Sequence, residues 1–305
     1  MPDWLRSPEL ILEVVPPPSA LSEAGIDSRL ELVARIGAHV PIRAVNIPEI
    51  REETSKSAGG ERRTAFEERV EPRVLAARIQ EQLGVPAIIN RVVVHLDSRR
   101  QADWFRETYE VFGVRNFVLV GGERSHVQYP GPSVAEANLL IRQALPHADL
   151  RVGNISIPGR RSRMDESERM AQKAAHGVDF FTTQIVYHCE EFTGLLDGIA
   201  ERQPGVATVP IFLSVCPLKT PHSVAFLRWL GVHIEEPLEA TLLADGAKQL
   251  LACSLEHLVG TWRSIRSHCV ARGLKQPIGV NIAPVGPIPV SATVKLAREL
   301  ARIGF

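Results

Sequence analysis

Gly177-Val-Asp-Phe-Phe-Thr-Thr-Gln-Ile-Val-Tyr-His188 is an apolar run that carries one long polar side chain, Gln184, and its reading decides the fold. Near the start of the chain, Leu12-Glu13-Val14-Val15-Pro16-Pro17 has the same design, with a carboxylate in place of the amide. Continuous apolar runs of this length fit strands covered on both faces, as in parallel sheets. Polar groups on such strands gather at one mouth when the strands close into a barrel.

Working outward, six more runs of the same kind appear. The candidate strands are Leu10 to Pro16, Ile42 to Ile47, Ala87 to Leu96, Phe117 to Gly121, Arg151 to Ile157, Phe180 to Tyr187, Pro210 to Cys216 and Ile278 to Ala283. Amphipathic segments separate them. Ala102, Phe105, Tyr109 and Phe112 keep one face before Gly113, and Leu75, Ile79 and Leu83 keep one before Gly84. Ser254 is read as the cap of a helix carrying Leu255, Leu258, Trp262, Ile265 and Cys269, with Gly273 ending it.

Eight βα units without a break in composition predict a (β/α)8 TIM barrel over residues 1–305 as a single domain. A doubly wound open sheet is the alternative, weakened because no G-x-G-x-x-G follows any strand. Two insertions interrupt the rhythm. Arg51 to Val70 reads as a charged βα loop over the site, and Gly231 to Leu250 as an extra helix or edge segment.

The bulk numbers set limits on function. The 305 residues are 45% hydrophobic and 23% charged, ordinary for a globular protein with a sizeable core. A formal net charge of zero argues against a broad nucleic-acid or anionic-membrane surface. No signal peptide or membrane span is visible, so the cytoplasm is the expected compartment. Cys189, Cys216, Cys253 and Cys269 lack metal-ligand spacing and read as packing residues in a reducing compartment. No metal is expected. A homo-oligomer is compatible with the sequence.

In a barrel of this kind function lies at the C-terminal strand ends. Those positions offer Glu13; Asn46 and Glu49; His95 and Asp97; Glu123 and Arg124; Arg160, Arg161 and Arg163; Gln184; and Lys219. Glu13 stands among Ile11, Leu12, Val14 and Val15, where poor solvation favours its protonated form, as a general acid needs. The plainer reading is a barrel-lining glutamate in an ion pair. Gln184 offers a donor and an acceptor to the edge of a heterocycle, or else bonds backbone as a core amide. His95 meets a ligand or satisfies a neighbouring carbonyl. Gly121-Gly122 lets backbone approach a flat ligand, or makes a tight βα turn. The arginine cluster suits a phosphate or pyrophosphate, although a solvated loop is the commoner fate of such a run.

These residues resemble the methylenetetrahydrofolate reductase family. Its first strand has the form F-E-F-F-P-P, matched here by Leu12 to Pro17; its third often ends in H-L-T-C, matched by His95-Leu96-Asp97-Ser98. Its K-x-x-x-G-A-[DN]-x-x-[IT]-T-Q segment is similar to Lys173 through Gln184. The resemblance implies a TIM barrel that reduces 5,10-methylenetetrahydrofolate to 5-methyltetrahydrofolate, in one-carbon metabolism toward methionine, with electrons from NAD(P)H. Many members hold FAD, and a smaller branch takes hydride directly from NADH. The strand-one glutamate, here Glu13, would protonate N10 and open the ring to a 5-iminium ion that accepts hydride.

Carried over from the family, Gln184 and Glu123 fall to the folate and His95 and Lys173 to the redox cofactor. From their strand-end places, Asn46 and Glu49 are added to the substrate side, and Gly121, Gly122, Arg160 and Arg161 to the cofactor side. Three departures stand out. Gly121-Gly122-Glu123 replaces R-G-D, Ile157-Pro158-Gly159-Arg160-Arg161 replaces Y-P-E-x-H, and Asn281-Ile282-Ala283-Pro284 replaces the strand-eight H-x-Y-T-L-N pattern. They keep two rivals open: a related enzyme on another reduced pterin or oxidising methyl-folate, and a non-catalytic folate-binding or partner subunit.

Overall fold

The computed structural model describes residues 2–52, 66–122, 128–160, 164–244 and 249–305. In chain order the elements are α1 (Asp3–Arg6), β1 (Leu10–Glu13), α2 (Ser22–Gly37), β2 (Ala44–Pro48), α3 (Pro72–Leu83), β3 (Ala87–Val92), α4 (Ser98–Glu110), β4 (Asn116–Val120), α5 (Val134–Ala144), β5 (Arg151–Ser156) and α6 (Glu166–Ala175). They continue with β6 (Phe180–Thr183), α7 (Cys189–Arg202), β7 (Ile211–Val215), α8 (Pro221–Trp229), α9 (Glu236–Leu243), α10 (Leu250–Arg272), β8 (Ile278–Ile282) and α11 (Val290–Ile303). All eight strands pair in parallel and in sequence order, and β8 returns to β1 to close the barrel. This is the predicted (β/α)8 architecture.

Two cores hold it together. The larger lies between strands and helices, where Val45, Ile89, Leu119 and Leu213 meet residues such as Leu75, Phe105, Ile141 and Leu258. The smaller fills the barrel itself with Ile11, Ala44, Ile88, Val118, Phe180 and Phe212. Alternation along each strand sends one set outward and the other inward. At Gly153 the inner wall must stay bare, because a Cβ there would lie 2.6 Å from the Phe180 ring.

The sequence reading missed α1. Its Trp4 and Leu5 are buried inside the barrel against Phe180 and Phe212, closing the N-terminal end. Four residues carry no periodicity to detect.

Except for β4, which keeps its length and is shifted by one residue, the strands are shorter than predicted, mostly because pairing stops where the chain peels off into the βα loops. β2 starts at Ala44 rather than Ile42 and runs on to Pro48, and β3 stops at Val92, with a 3-10 turn over Val93–His95. The reading of Ser254 as a cap is corrected. α10 begins at Leu250, whose side chain is buried and extends the apolar face backward. Ser254 lies inside the helix and its hydroxyl accepts the Leu218 N–H at 2.9 Å. Within the Gly231 to Leu250 insertion the described residues include α9. Most of the Arg51 to Val70 insertion, residues 53–65, lies outside the described residues.

Among the described residues no helix is long and apolar enough to cross a membrane, and no His, Cys, Asp and Glu group is arranged to hold a metal. All four cysteines are free. Cys216 and Cys269 are buried in the core, while Cys189 and Cys253 are partly buried and pack against it.

Candidate functional site

Register identifies the side chains that line the mouth. Ile11, Ile88, Val118 and Phe212 point into the barrel, so their partners and the residues two further along do the same. Glu13 pairs with Asn46, Asn46 with Ile88, Asn90 with Val118, Thr182 with Phe212, and Ser214 with Asn281. Above the apolar floor the inner wall is therefore polar on β6, β7, β8, β1, β2 and β3. On β4 and β5 it remains apolar, with Val120 and Ile155.

Glu13 is the one acidic residue in the eight strands. Its carboxylate Oε2 accepts the Asn46 Nδ2 at 3.0 Å and, at 3.5 Å, the Asn281 Nδ2. Asn281 Nδ2 also donates to the Ser214 hydroxyl at 3.1 Å. Ser214 N–H in turn donates to Thr183 Oγ1 at 2.8 Å, which ties the group to β6. Glu13 thus ends a hydrogen-bonded chain that joins strands on both sides of it.

Gln184 follows the last residue of β6. Its Nε2 donates to the Leu230 carbonyl at 3.3 Å, and its Oε1 accepts the Ile185 N–H at 2.9 Å. One hydrogen and one lone pair of the amide are thus committed to backbone. Glu49 sits beyond β2 in an ionic knot. Its Oε1 accepts from Arg51 at 2.6 Å and Arg91 at 2.7 Å, and its Oε2 accepts the Val92 N–H at 2.9 Å. Arg91 is almost wholly buried against the Trp104 ring, 4.2 Å away, and burial lowers its pKa to about 10. Glu49 is the countercharge of that guanidinium, and the structure does not bring it to Glu13.

His95 lies in the turn after β3, edge-on to Tyr129 with ring centroids 5.5 Å apart. Burial holds its imidazole below the ordinary histidine value, and Arg51 adds to the effect. Gly122 makes room for the same tyrosine, since a Cβ there would collide with the Tyr129 ring. A Cβ at Gly121 would lie 3.3 Å from the Val134 side chain. Asp97 caps α4, its carboxylate accepting the Arg100 N–H at 3.0 Å.

The expected cofactor cations belong to the wall. Lys173 reaches from α6 to the Ile155 carbonyl at 2.6 Å, and burial lowers its pKa against the opposing effect of Glu166. Arg160 pairs with the buried Glu166 at 3.4 Å. These two do not fit a flavin pyrophosphate as they stand, because each already serves a group of the frame. Glu123, Arg124, Arg161 and Arg163 lie outside the described residues. A groove of about 820 Å³ lies on the outer wall between α2 and α11 and shares no residue with the mouth.

Asn90, Thr182, Ser214 and Asn281 are mouth residues that the motifs did not supply as candidates. The signal was present: each is a polar residue two positions after an inward apolar residue or glycine on its strand. It becomes readable only once the register is known.

No family model matches the chain, and no curated protein does. Among solved structures, the chain is similar to an uncharacterized protein from Clostridium thermocellum that binds two copies of 5-methyl-5,6,7,8-tetrahydrofolic acid. The two share 24% identity with a TM-score of 0.76, over 97% of this chain and 96% of that one. A likeness at this identity establishes the barrel fold.

Proposed function

We propose that this barrel binds a reduced folate at its mouth and reduces 5,10-methylenetetrahydrofolate to 5-methyltetrahydrofolate with electrons from NAD(P)H. The observation that carries the reading is Glu13, a half-buried carboxyl at the C-terminal end of β1 that accepts hydrogen bonds from the Asn46 and Asn281 amides. As general acid Glu13 would protonate N10, opening the five-membered ring to an iminium ion that takes hydride at the methylene carbon. The apolar wall of β4 and β5 gives a flat pterin a surface to pack on. The neighbour from Clostridium thermocellum, which binds 5-methyltetrahydrofolic acid, supports the substrate class.

Whether hydride arrives through FAD or directly from the nicotinamide is part of the same proposal. Lys173 and Arg160, engaged with the Ile155 carbonyl and with Glu166, do not offer a pyrophosphate site for FAD as they stand. Their engagement favours a second reading, a folate-binding protein without reductase activity. Calorimetric titration with 5-methyltetrahydrofolate, followed by nicotinamide-dependent turnover of the methylene form, separates the two. Binding with turnover supports the reductase, binding alone the second reading, and no binding removes both.

A further inference from the structure

Three prolines in a row, Pro16-Pro17-Pro18, stand in the loop that leaves β1. Proline has no N–H, so the run cannot extend the barrel ladder, and its carbonyls need donors from elsewhere. The segment before α3 runs antiparallel to it. Val70 N–H donates to the Pro17 carbonyl at 2.9 Å, Ser19 N–H donates to the Glu68 carbonyl at 2.8 Å, and Pro18 and Arg69 form a bridge. α2 also closes on the run, where a Cβ at Gly25 would lie 2.8 Å from Pro17.

Two arginines complete the arrangement. Arg29, one turn after Gly25 on the same face of α2, donates from Nε to the Val15 carbonyl at 3.1 Å. Arg69 donates from Nη1 to the next carbonyl, that of Pro16, at 3.4 Å. Adjacent carbonyls thus draw two partly buried guanidiniums together from different elements. The neighbouring arginines all have close acids: Arg73 pairs with Glu71 and Glu107, Arg78 with Glu23 and Asp27, and Arg91 with Glu49. Arg29 has no ion pair among the described residues, and Arg69 has only the exposed Glu67 at 3.7 Å. Burial lowers the pKa of Arg29, and Arg69 lowers it further. The Nε of Arg69 is buried and without a hydrogen-bond partner among the described residues. Two like charges drawn partly out of water without a countercharge are costly, and an anion shared between their donor forks offsets that cost.

We infer that Arg29 and Arg69 form an anion site beside the β1 loop, which takes a carboxylate or phosphate group between the two guanidiniums. The rigid proline run fixes their spacing through its carbonyls. The site itself stands without the folate reading. One source of the anion, a carboxylate of the glutamate tail of a folate, rests on that reading, while free phosphate does not.

The test follows the Nε–H signals of the two arginines by nitrogen-15 NMR, each identified by its loss in Arg29→Gln or Arg69→Gln. Glutamine keeps an N–H for the carbonyl, and Arg29→Lys or Arg69→Lys serves if a glutamine variant does not fold. Inorganic phosphate, added in a buffer free of other polyvalent anions, should move both signals along one saturating curve. Titration with 5-methyltetrahydrofolate then separates the sources. If it moves the same two signals, and each glutamine variant weakens its binding about tenfold, the site holds the ligand's own carboxylate. If phosphate alone moves them, the site holds free phosphate. Signals that stay still with both, or drift without saturating as bulk screening would make them, overturn the site. Folate binding that leaves them still, with phosphate equally without effect, overturns the site and spares the folate reading. Saturable phosphate binding in a protein that binds no folate does the reverse. Thermal melting gives an independent readout: phosphate should raise the melting temperature of the wild type more than that of Arg29→Gln, and equal rises overturn the site.

Discussion

Trp4 stands edge-on to Phe180, with ring centroids 5.2 Å apart and the planes at 81°. The same indole lies 5.7 Å from the ring of Phe212, so a four-residue helix before the first strand closes the floor under the site. Deleting that ring leaves a cavity bounded by two rigid phenylalanines on paired strands. Trp4→Ala should cost about 3–5 kcal/mol, the range for large aromatic truncations in cores. Urea unfolding measures it, and a loss below about 1 kcal/mol would mean that α1 is not part of the core.

Gln184 offers a second stability test. Its amide joins the end of β6 to the Leu230 carbonyl after α8 and to its own neighbour's N–H. Gln184→Leu keeps the volume and leaves both backbone groups without that partner. We expect a loss of about 1 kcal/mol, the low end of the cost of stranding polar groups, because these are only partly buried. Unchanged stability with lost folate binding would instead make Gln184 purely a ligand residue.

His257 gives stability a dependence on pH. Its Nε2 bonds the Tyr187 carbonyl at 2.7 Å, and burial holds the imidazole below its ordinary value, with that carbonyl opposing the effect and His188 adding to it. The unfolded chain therefore takes up the proton first as pH falls. By linkage this contribution to stability is intact above the ordinary histidine value of about 6.5 and is lost progressively from there down to the folded value. His95, depressed mainly by burial, acts in the same direction. Denaturation at about pH 7.5 and about pH 5.5 should show a larger acid loss for the wild type than for His257→Gln. Equal losses would assign the acid sensitivity to other groups.

The barrel was legible because eight apolar runs and the helices between them repeat a pattern too regular for other folds. Its finer points depended on pairing. Glu13 and Asn46 are 33 positions apart in sequence and meet only because β1 and β2 pair in one register. Asn281 joins them only because the barrel closes, a fact that no local pattern carries. Glu49 shows a related limit: that its carboxylate pairs with the buried Arg91 becomes visible only once β2 and β3 are placed side by side. Ser254 had the residue type of a cap and the environment of a helix interior.

Glu13→Gln is the sharpest test of the proposed chemistry. The substitution preserves shape and removes the transferable proton, and the amides of Asn46 and Asn281 can still donate to the carbonyl oxygen of the new side chain. The variant should therefore fold with a melting temperature close to wild type and should bind 5-methyltetrahydrofolate within a fewfold of it. Loss of a general acid typically costs on the order of 10²–10⁴ in rate. Nicotinamide-dependent reduction of 5,10-methylenetetrahydrofolate should fall by that factor with little change in KM. Turnover within about threefold of wild type would remove Glu13 from the proton step. The mouth would then bind folate with its amides and apolar wall and carry out no acid chemistry from β1.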